Sequence, residues 1–141
     1  MKRYIGLDLG TKTLGVAYSD LMGITAQSLE IIPIDTANNN FGLKRLRAIV
    51  EEYKADEFVL GYPKNMNNTI GARAKATEDF KVLLQQKFAM PVHLIDERLT
   101  TVAASRILVE KADVSRKKQK KAIDKLAASF ILQTYLDRKS F

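Results

Sequence analysis

The chain has 141 residues, 46% of them hydrophobic, with no cysteine and a net charge of +7. That length suits one domain with its own packed core, so residues 1–141 are expected to fold as a single unit. The missing cysteines exclude disulfides and thiolate zinc sites, and the excess of 23 Lys and Arg over 16 Asp and Glu favours an anionic partner, nucleic acid before others.

Tyr4–Leu9 and Thr13–Ser19 read as two strands around a Gly10-Thr11-Lys12 turn, a hairpin signal. The apolar start of the chain is cut by Asp8 and by glycines, so it is no signal peptide; no stretch is apolar enough to span a membrane, and a cytoplasmic setting is expected. Leu29–Ile34 is a third strand, and residues 35–40 form a polar loop. Gly42–Tyr53 has helical spacing, with Leu43, Leu46, Ile49, Val50 and Tyr53 inward. Phe58–Gly61 is a short buried strand, followed by Tyr62-Pro63 and a polar loop over 64–70. The spacing predicts a second helix from Gly71 to Phe88, with Ala72, Ala76, Phe80, Leu83 and Leu84 inward. Val92–Ile95 is the fifth strand and ends in Asp96-Glu97-Arg98. Thr100 or Thr101 can cap a helix running through Ala103, Ile107 and Leu108. A basic link, Ala112–Gln119, leads into a last helix from about Lys117 to Asp137, with Ile123, Leu126, Phe130 and Ile131 inward. Three strands without helices predict an antiparallel meander, and the later alternation predicts parallel strands, together an α/β fold on a mixed sheet.

Open α/β sheets bind ligands beyond the carboxyl ends of their parallel strands. Asp8 lies late in the first strand, where a carboxylate taken out of water is costly unless it is paired, and a metal ion is a usual partner at an active site. Glu97 lies just beyond the fifth strand, and Asp124 shares a helical face with Ala127, Ala128 and Ile131. Three converging carboxylates form a hard oxygen site for Mg²⁺ or Mn²⁺, and two such ions about 3.5–4 Å apart can clamp the attacking and leaving oxygens of a phosphodiester. Each acid also has a plainer reading. Asp8 could bond the amides near Thr11, Glu97 could mark a helix entry or pair with Arg98, and Asp124 could pair with Lys120 or Lys121 one turn back. Asp96 competes with Glu97, Asp20 reads as a turn residue, and the lone His93 reads as a packed strand residue before it reads as a ligand.

The block Arg116-Lys117-Lys118, just before Asp124, is either a solvated face or a grip on phosphate. Lys64 and Asn65 in the polar loop and Arg73 at the next helix start can hold a phosphate with help from the helix N-terminus. Lys12 in the hairpin turn, with Arg98 and Thr100 beyond the fifth strand, completes the candidate substrate-binding set. Glycine at position 10 lets a phosphate approach that turn closely. Tyr62 could stack on an unpaired base or pack beneath the loop.

Four blocks in this order, GLDLGTKTLGVAYSD, GYPKNMNNTIGARA, LIDERLTT and ADVSRKKQKKAIDKLAA, resemble the bacterial YqgF (RuvX) family over essentially the whole chain. The resemblance implies a ribonuclease H-like fold, a five-stranded mixed sheet of order 3-2-1-4-5 flanked by helices. It implies a Mg²⁺- or Mn²⁺-dependent nuclease whose acids map onto Asp8, Glu97 and Asp124. It also implies a role in maturing the 5′ end of pre-16S ribosomal RNA, with a pre-ribosomal particle as partner and a monomer or weak dimer as the working form. Two positions depart from the family pattern: Tyr62 stands where leucine is frequent, and Asn68 where glycine is usual. Three alternatives stay open. A Holliday junction resolvase acting on four-way DNA would need two active sites, hence a symmetric dimer. An actin-like or sugar-kinase ATPase would need a second domain to close over its nucleotide. A non-catalytic nucleic-acid-binding module would keep the basic face but has no use for the three acids.

Overall fold

In β1 (Tyr4–Leu9) every residue is buried, so the strand has no solvent face and must sit in the middle of a sheet covered on both sides. The computed structural model describes residues 2–63, 71–100 and 116–139, and within the last helix it describes side chains from residue 122 onward. In it β1 pairs antiparallel with β2 (Thr13–Ser19) and parallel with β4 (Glu57–Tyr62), which is also buried throughout. β3 (Ala26–Pro33) lies outside β2, and β5 (Val92–Asp96) runs parallel to β4 at the other edge. The order is β3-β2-β1-β4-β5, as the sequence implied. β3 begins at Ala26 rather than Leu29. Its first residues lack apolar alternation, but their backbone still pairs with Ala17–Ser19 across an irregularity at Val16/Ala17. Edge position explains the polar side chains there, and Glu30 is held by Arg45 at 2.5 Å.

Odd and even positions of β1 face different cores. Ile5, Leu7 and Leu9 join Leu14, Leu60 and Phe80 beneath α1 (Leu43–Tyr53) and α2 (Ala72–Phe88). Tyr4 joins Val59 and Ile95 beneath α3 (Arg116–Lys139). α1 packs as its spacing predicts: Leu46 and Ile49 are fully buried, with Leu43, Val50 and Tyr53 against the same core. α2 matches expectation at Phe80, Leu83 and Leu84, which meet the core, but not at its two alanines. Its buried residues are Ala74, Thr77, Phe80 and Leu84, while Ala72 and Ala76 are exposed. Thr77 tolerates the core position because its hydroxyl donates to the Arg73 carbonyl at 2.9 Å. On α3, Ala127, Ala128, Ile131 and Leu132 are buried, but Leu126, expected inward, is 40% exposed. The helix crosses Gly6 so closely that a methyl group there would come within 2.7 Å of Leu132 Cβ and 2.9 Å of the Ala128 carbonyl oxygen. α3 begins at Arg116, so the last part of the expected basic link is helical. Residues 112–115 and the helix expected through Leu108 lie outside the described residues.

The amino end of the parallel strands is closed by polar contacts. Buried Glu57 accepts from His93 Nε2 at 2.5 Å and pairs with Lys2 at 3.0 Å, and the His93 ring stacks on Tyr135 at 5.2 Å. His93 is therefore a packed strand residue, as expected. Asp20 is the turn residue expected, accepting from the Ile24 and Thr25 amides at 2.8 and 3.4 Å. Among the described residues, no helix is long and apolar enough to cross a membrane.

Candidate active site

Asp8 and Glu97 are each 5% exposed, and both lie at the carboxyl end of the sheet. Alternation along β1 turns Asp8 to the α3 side, away from Leu7 and Leu9 in the opposite core. Its neighbour across the hairpin is Gly15, and glycine is what keeps that spot open. A methyl group at Gly15 would stand 3.5 Å from Asp8 Cβ, 3.5 Å from the Asp124 carbonyl oxygen and 3.7 Å from Ala128 Cβ. Asp8 and the Asp124 turn of α3 thus face each other across one missing side chain. Asp124 itself is half-buried, on the helical face that continues into Ala127, Ala128 and Ile131.

Glu97 follows β5 in a short 3-10 turn, Glu97–Leu99. Gly61 in β4 makes room for it, because a methyl group there would meet Glu97 Oε1 at 3.0 Å and Ile131 Cδ1 at 2.5 Å. Gly61 stands one step beyond the Leu7–Leu60 pair, level with Asp8 on the neighbouring strand. Ile131 lies seven residues, about two turns, beyond Asp124 on α3. The three acids therefore occupy the same face of the sheet, on β1, after β5 and on α3.

Asp96 has a different job from Glu97. Its carboxylate caps the 3-10 turn, accepting from the Arg98 amide at 3.0 Å, and clasps the Arg98 guanidinium at 2.6–3.1 Å. The hydrogen bond to Asp96 holds the Arg98 pKa above its ordinary value. Arg98 thus pairs with Asp96. Thr100 closes the same turn, donating its hydroxyl to the Glu97 carbonyl at 2.7 Å. Tyr62 is 7% exposed and donates to Glu78 at 2.8 Å, so its ring is buried and not offered for stacking. The bond to Glu78 raises its pKa.

Lys12 is exposed on the turn between β1 and β2, and Arg73 is exposed in the first turn of α2. Arg116, Lys117 and Lys118 form the start of α3, about two turns before Asp124; their side chains, and all of Lys64 and Asn65, lie outside the described residues. The spacing of acids along the chain marked Asp8, Glu97 and Asp124, but not what sets them in place. Gly15, Gly61 and the Asp96–Arg98–Thr100 turn emerge only from the pairing of distant segments. The one sequence hint was a glycine at the end of a buried strand.

The donor chemistry suits a hard cation: oxygen ligands only, in a clearing that glycine leaves on two strands. Among the described residues, no three His, Cys, Asp or Glu side chains are gathered into a preassembled cage. The fit is one of chemistry and placement.

An antiparallel hairpin extended by parallel strands, with Asp8 near the carboxyl end of the first strand, is a ribonuclease H-like fold. The solved structure of Thermus thermophilus RuvC in complex with a Holliday junction substrate matches with a TM-score of 0.58 at 13% identity, over 99% of this chain and 98% of that one. The fowlpox virus Holliday junction resolvase matches with a TM-score of 0.51 at 18% identity, over 96% and 99%. Within that fold the chain belongs to the RuvX family, described as Holliday junction resolvase, whose model matches residues 2–138. Two relatives carry the name "Putative pre-16S rRNA nuclease". One, from Geobacillus kaustophilus, is 61% identical over 137 residues, 97% of this chain and 99% of its own length. The other, from Streptococcus suis, is 60% identical over 136 residues, 96% and 98%.

Proposed function

We infer that this chain is a divalent-cation-dependent nuclease that trims the 5′ end of pre-16S ribosomal RNA, working as one domain, alone or as a weak dimer, in the cytoplasm on a pre-ribosomal particle. The observation that carries the chemistry is the pair of buried acids, Asp8 and Glu97, on one sheet face at the carboxyl end of the parallel strands of a basic protein. Carboxylates in a groove meant for phosphate repel the substrate unless cations intervene, so acids placed there call for Mg²⁺ or Mn²⁺. The choice of substrate is supported by the name of relatives about 60% identical over nearly their whole length.

Asp8, Glu97 and Asp124 would hold the cation. Bound there, it supplies Lewis-acid activation of water and neutralises charge at the scissile phosphate. Lys12, Lys64, Asn65, Arg73, Arg116, Lys117 and Lys118 would grip the backbone, contacts that position RNA without reading its sequence. Asp96, Arg98 and Thr100 hold the turn that aims Glu97, which makes Arg98 and Thr100 positioning residues before they are substrate contacts.

The test compares a 5′-extended 16S precursor RNA with a four-way DNA junction, each with Mg²⁺ or Mn²⁺, using wild type and Asp8→Asn. RNA cut by wild type alone, with Asp8→Asn binding as well or more tightly, is the expected result. Loss of binding in a folded Asp8→Asn protein would remove Asp8 from the cation-holding role. A second reading, junction resolution, is favoured by the family description, and paired symmetric cuts in the junction would establish it.

A further inference from the structure

On the other side of β1 from Asp8 lies a cavity of ≈ 320 Å³ that shares Arg73 with the candidate substrate-binding residues and none of the three acids. Leu9, Phe41 and Phe80 give it an apolar floor, and Phe41 packs on Phe80 with ring centroids 5.5 Å apart. Thr11 and Arg73 line it at the rim. It is no sealed core void: Thr11, Arg73 and Ala76, all part of its wall, are exposed. Asp8 and Leu9 are consecutive and point to opposite faces of the sheet, so acids and cavity flank the same strand end. The Gly10–Lys12 turn follows directly from that strand end, with Lys12 exposed on it.

We propose that this cavity is a base subsite, taking one unstacked nucleobase from a single-stranded segment beside the cleaved bond. The proposal rests on the nuclease reading and adds the form of the substrate. On this proposal a strand whose phosphate lies at the acids crosses the turn past Lys12 and brings its next base over Leu9. A base is a flat ring with apolar faces and a polar edge, which matches an aromatic floor under polar groups of both kinds, the Thr11 hydroxyl and Arg73 guanidinium as donors and the Asp79 carboxylate as acceptor. The volume falls within the range of small-molecule sites. A base held in a duplex stack cannot enter, so unpaired RNA is selected over paired RNA at this position.

Ala76→Phe tests it. Ala76 is exposed on α2 and lines the cavity, so a ring there fills the space while removing no core contact and touching none of the acids. The probe is a single-stranded RNA oligonucleotide carrying 2-aminopurine, titrated by fluorescence in Ca²⁺, which neutralises the acids without the strict octahedral geometry of Mg²⁺, beside a fully paired RNA of the same length. In wild type the 2-aminopurine signal is expected to change on binding. Ala76→Phe should abolish that change and raise the single-strand Kd about tenfold, the loss of one stacked base, with the duplex Kd unmoved. Ala76→Leu, smaller and helix-favouring, repeats the test should the ring lower the melting temperature. Unchanged fluorescence and Kd in a folded variant would overturn the subsite. Cleavage with Mg²⁺ is read separately. A protein that captures the base yet cuts neither RNA nor junction would overturn the nuclease reading and leave the subsite standing.

Discussion

At the scale of single residues, three glycines do more for the candidate site than any side chain except the acids. Gly6 admits α3, Gly15 keeps the space between Asp8 and Asp124, and Gly61 lets Glu97 lie over β4. Neither Gly15 nor Gly61 has a positive φ, so any penalty for alanine is steric. The two should therefore respond differently. Gly61→Ala puts a methyl group 2.5 Å from Ile131 Cδ1 and 3.0 Å from Glu97 Oε1. Ile131 is fully buried, so overpacking should cost about 1–3 kcal/mol, and cleavage should fall further than stability as Glu97 is displaced. Gly15→Ala makes only ordinary contacts at 3.5–3.7 Å, so its stability should hold or rise by up to about 1 kcal/mol through a stiffer unfolded chain. Urea unfolding and cleavage of the two variants side by side check this; equal losses at both positions would mean that steric clearance does not set the site.

At the scale of elements, legibility followed the strength of the apolar pattern. α1 could be read correctly because large aliphatic residues occupy its buried face. α2 could be read at Phe80, Leu83 and Leu84 but not in its first turns, because the pattern counts alanine as apolar and threonine as polar, whereas Thr77 satisfies its hydroxyl within its own helix and goes inward. Ala72 and Ala76 then fall outside. One substitution made on both faces separates the two arrangements. Ala72→Leu should change stability by no more than about 0.5 kcal/mol, as at other exposed positions. Ala74→Leu, at a fully buried residue, should cost about 1–3 kcal/mol. Thermal unfolding of both variants decides the matter, and equal costs would return α2 to the orientation that the alanine spacing suggested. β3 shows the complementary weakness: an edge strand is held by backbone pairing, which leaves little trace in its side chains.

At the scale of the molecule, the sheet has two different ends. The carboxyl end carries the acids, and its position was legible because one acid in an apolar strand and one just past another strand are local patterns. The amino end was not legible, since Glu57 depends on partners far away in sequence, Lys2 and His93. That end makes the fold sensitive to acid. Burial pushes the Glu57 carboxyl pKa up, but the His93 hydrogen bond and the hydrogen bond and charge of Lys2 outweigh it and hold the group below its ordinary value of about 4.3. With the native pKa depressed, the unfolded chain takes up the proton first as pH falls. The stabilisation is thus complete well above about pH 4.3 and is lost as pH drops through the lower native value. Glu57→Gln removes the titrating group, so it should lower stability at neutral pH and flatten the decline below about pH 5. Unfolding free energies of wild type and variant, measured from neutral pH down to acid, check this. Two curves that stay parallel throughout would show that Glu57 does not couple folding to protons. Cleavage at neutral pH should survive in the variant, because Glu57 pairs with Tyr4 at the start of β1 while Asp8 stands near its end.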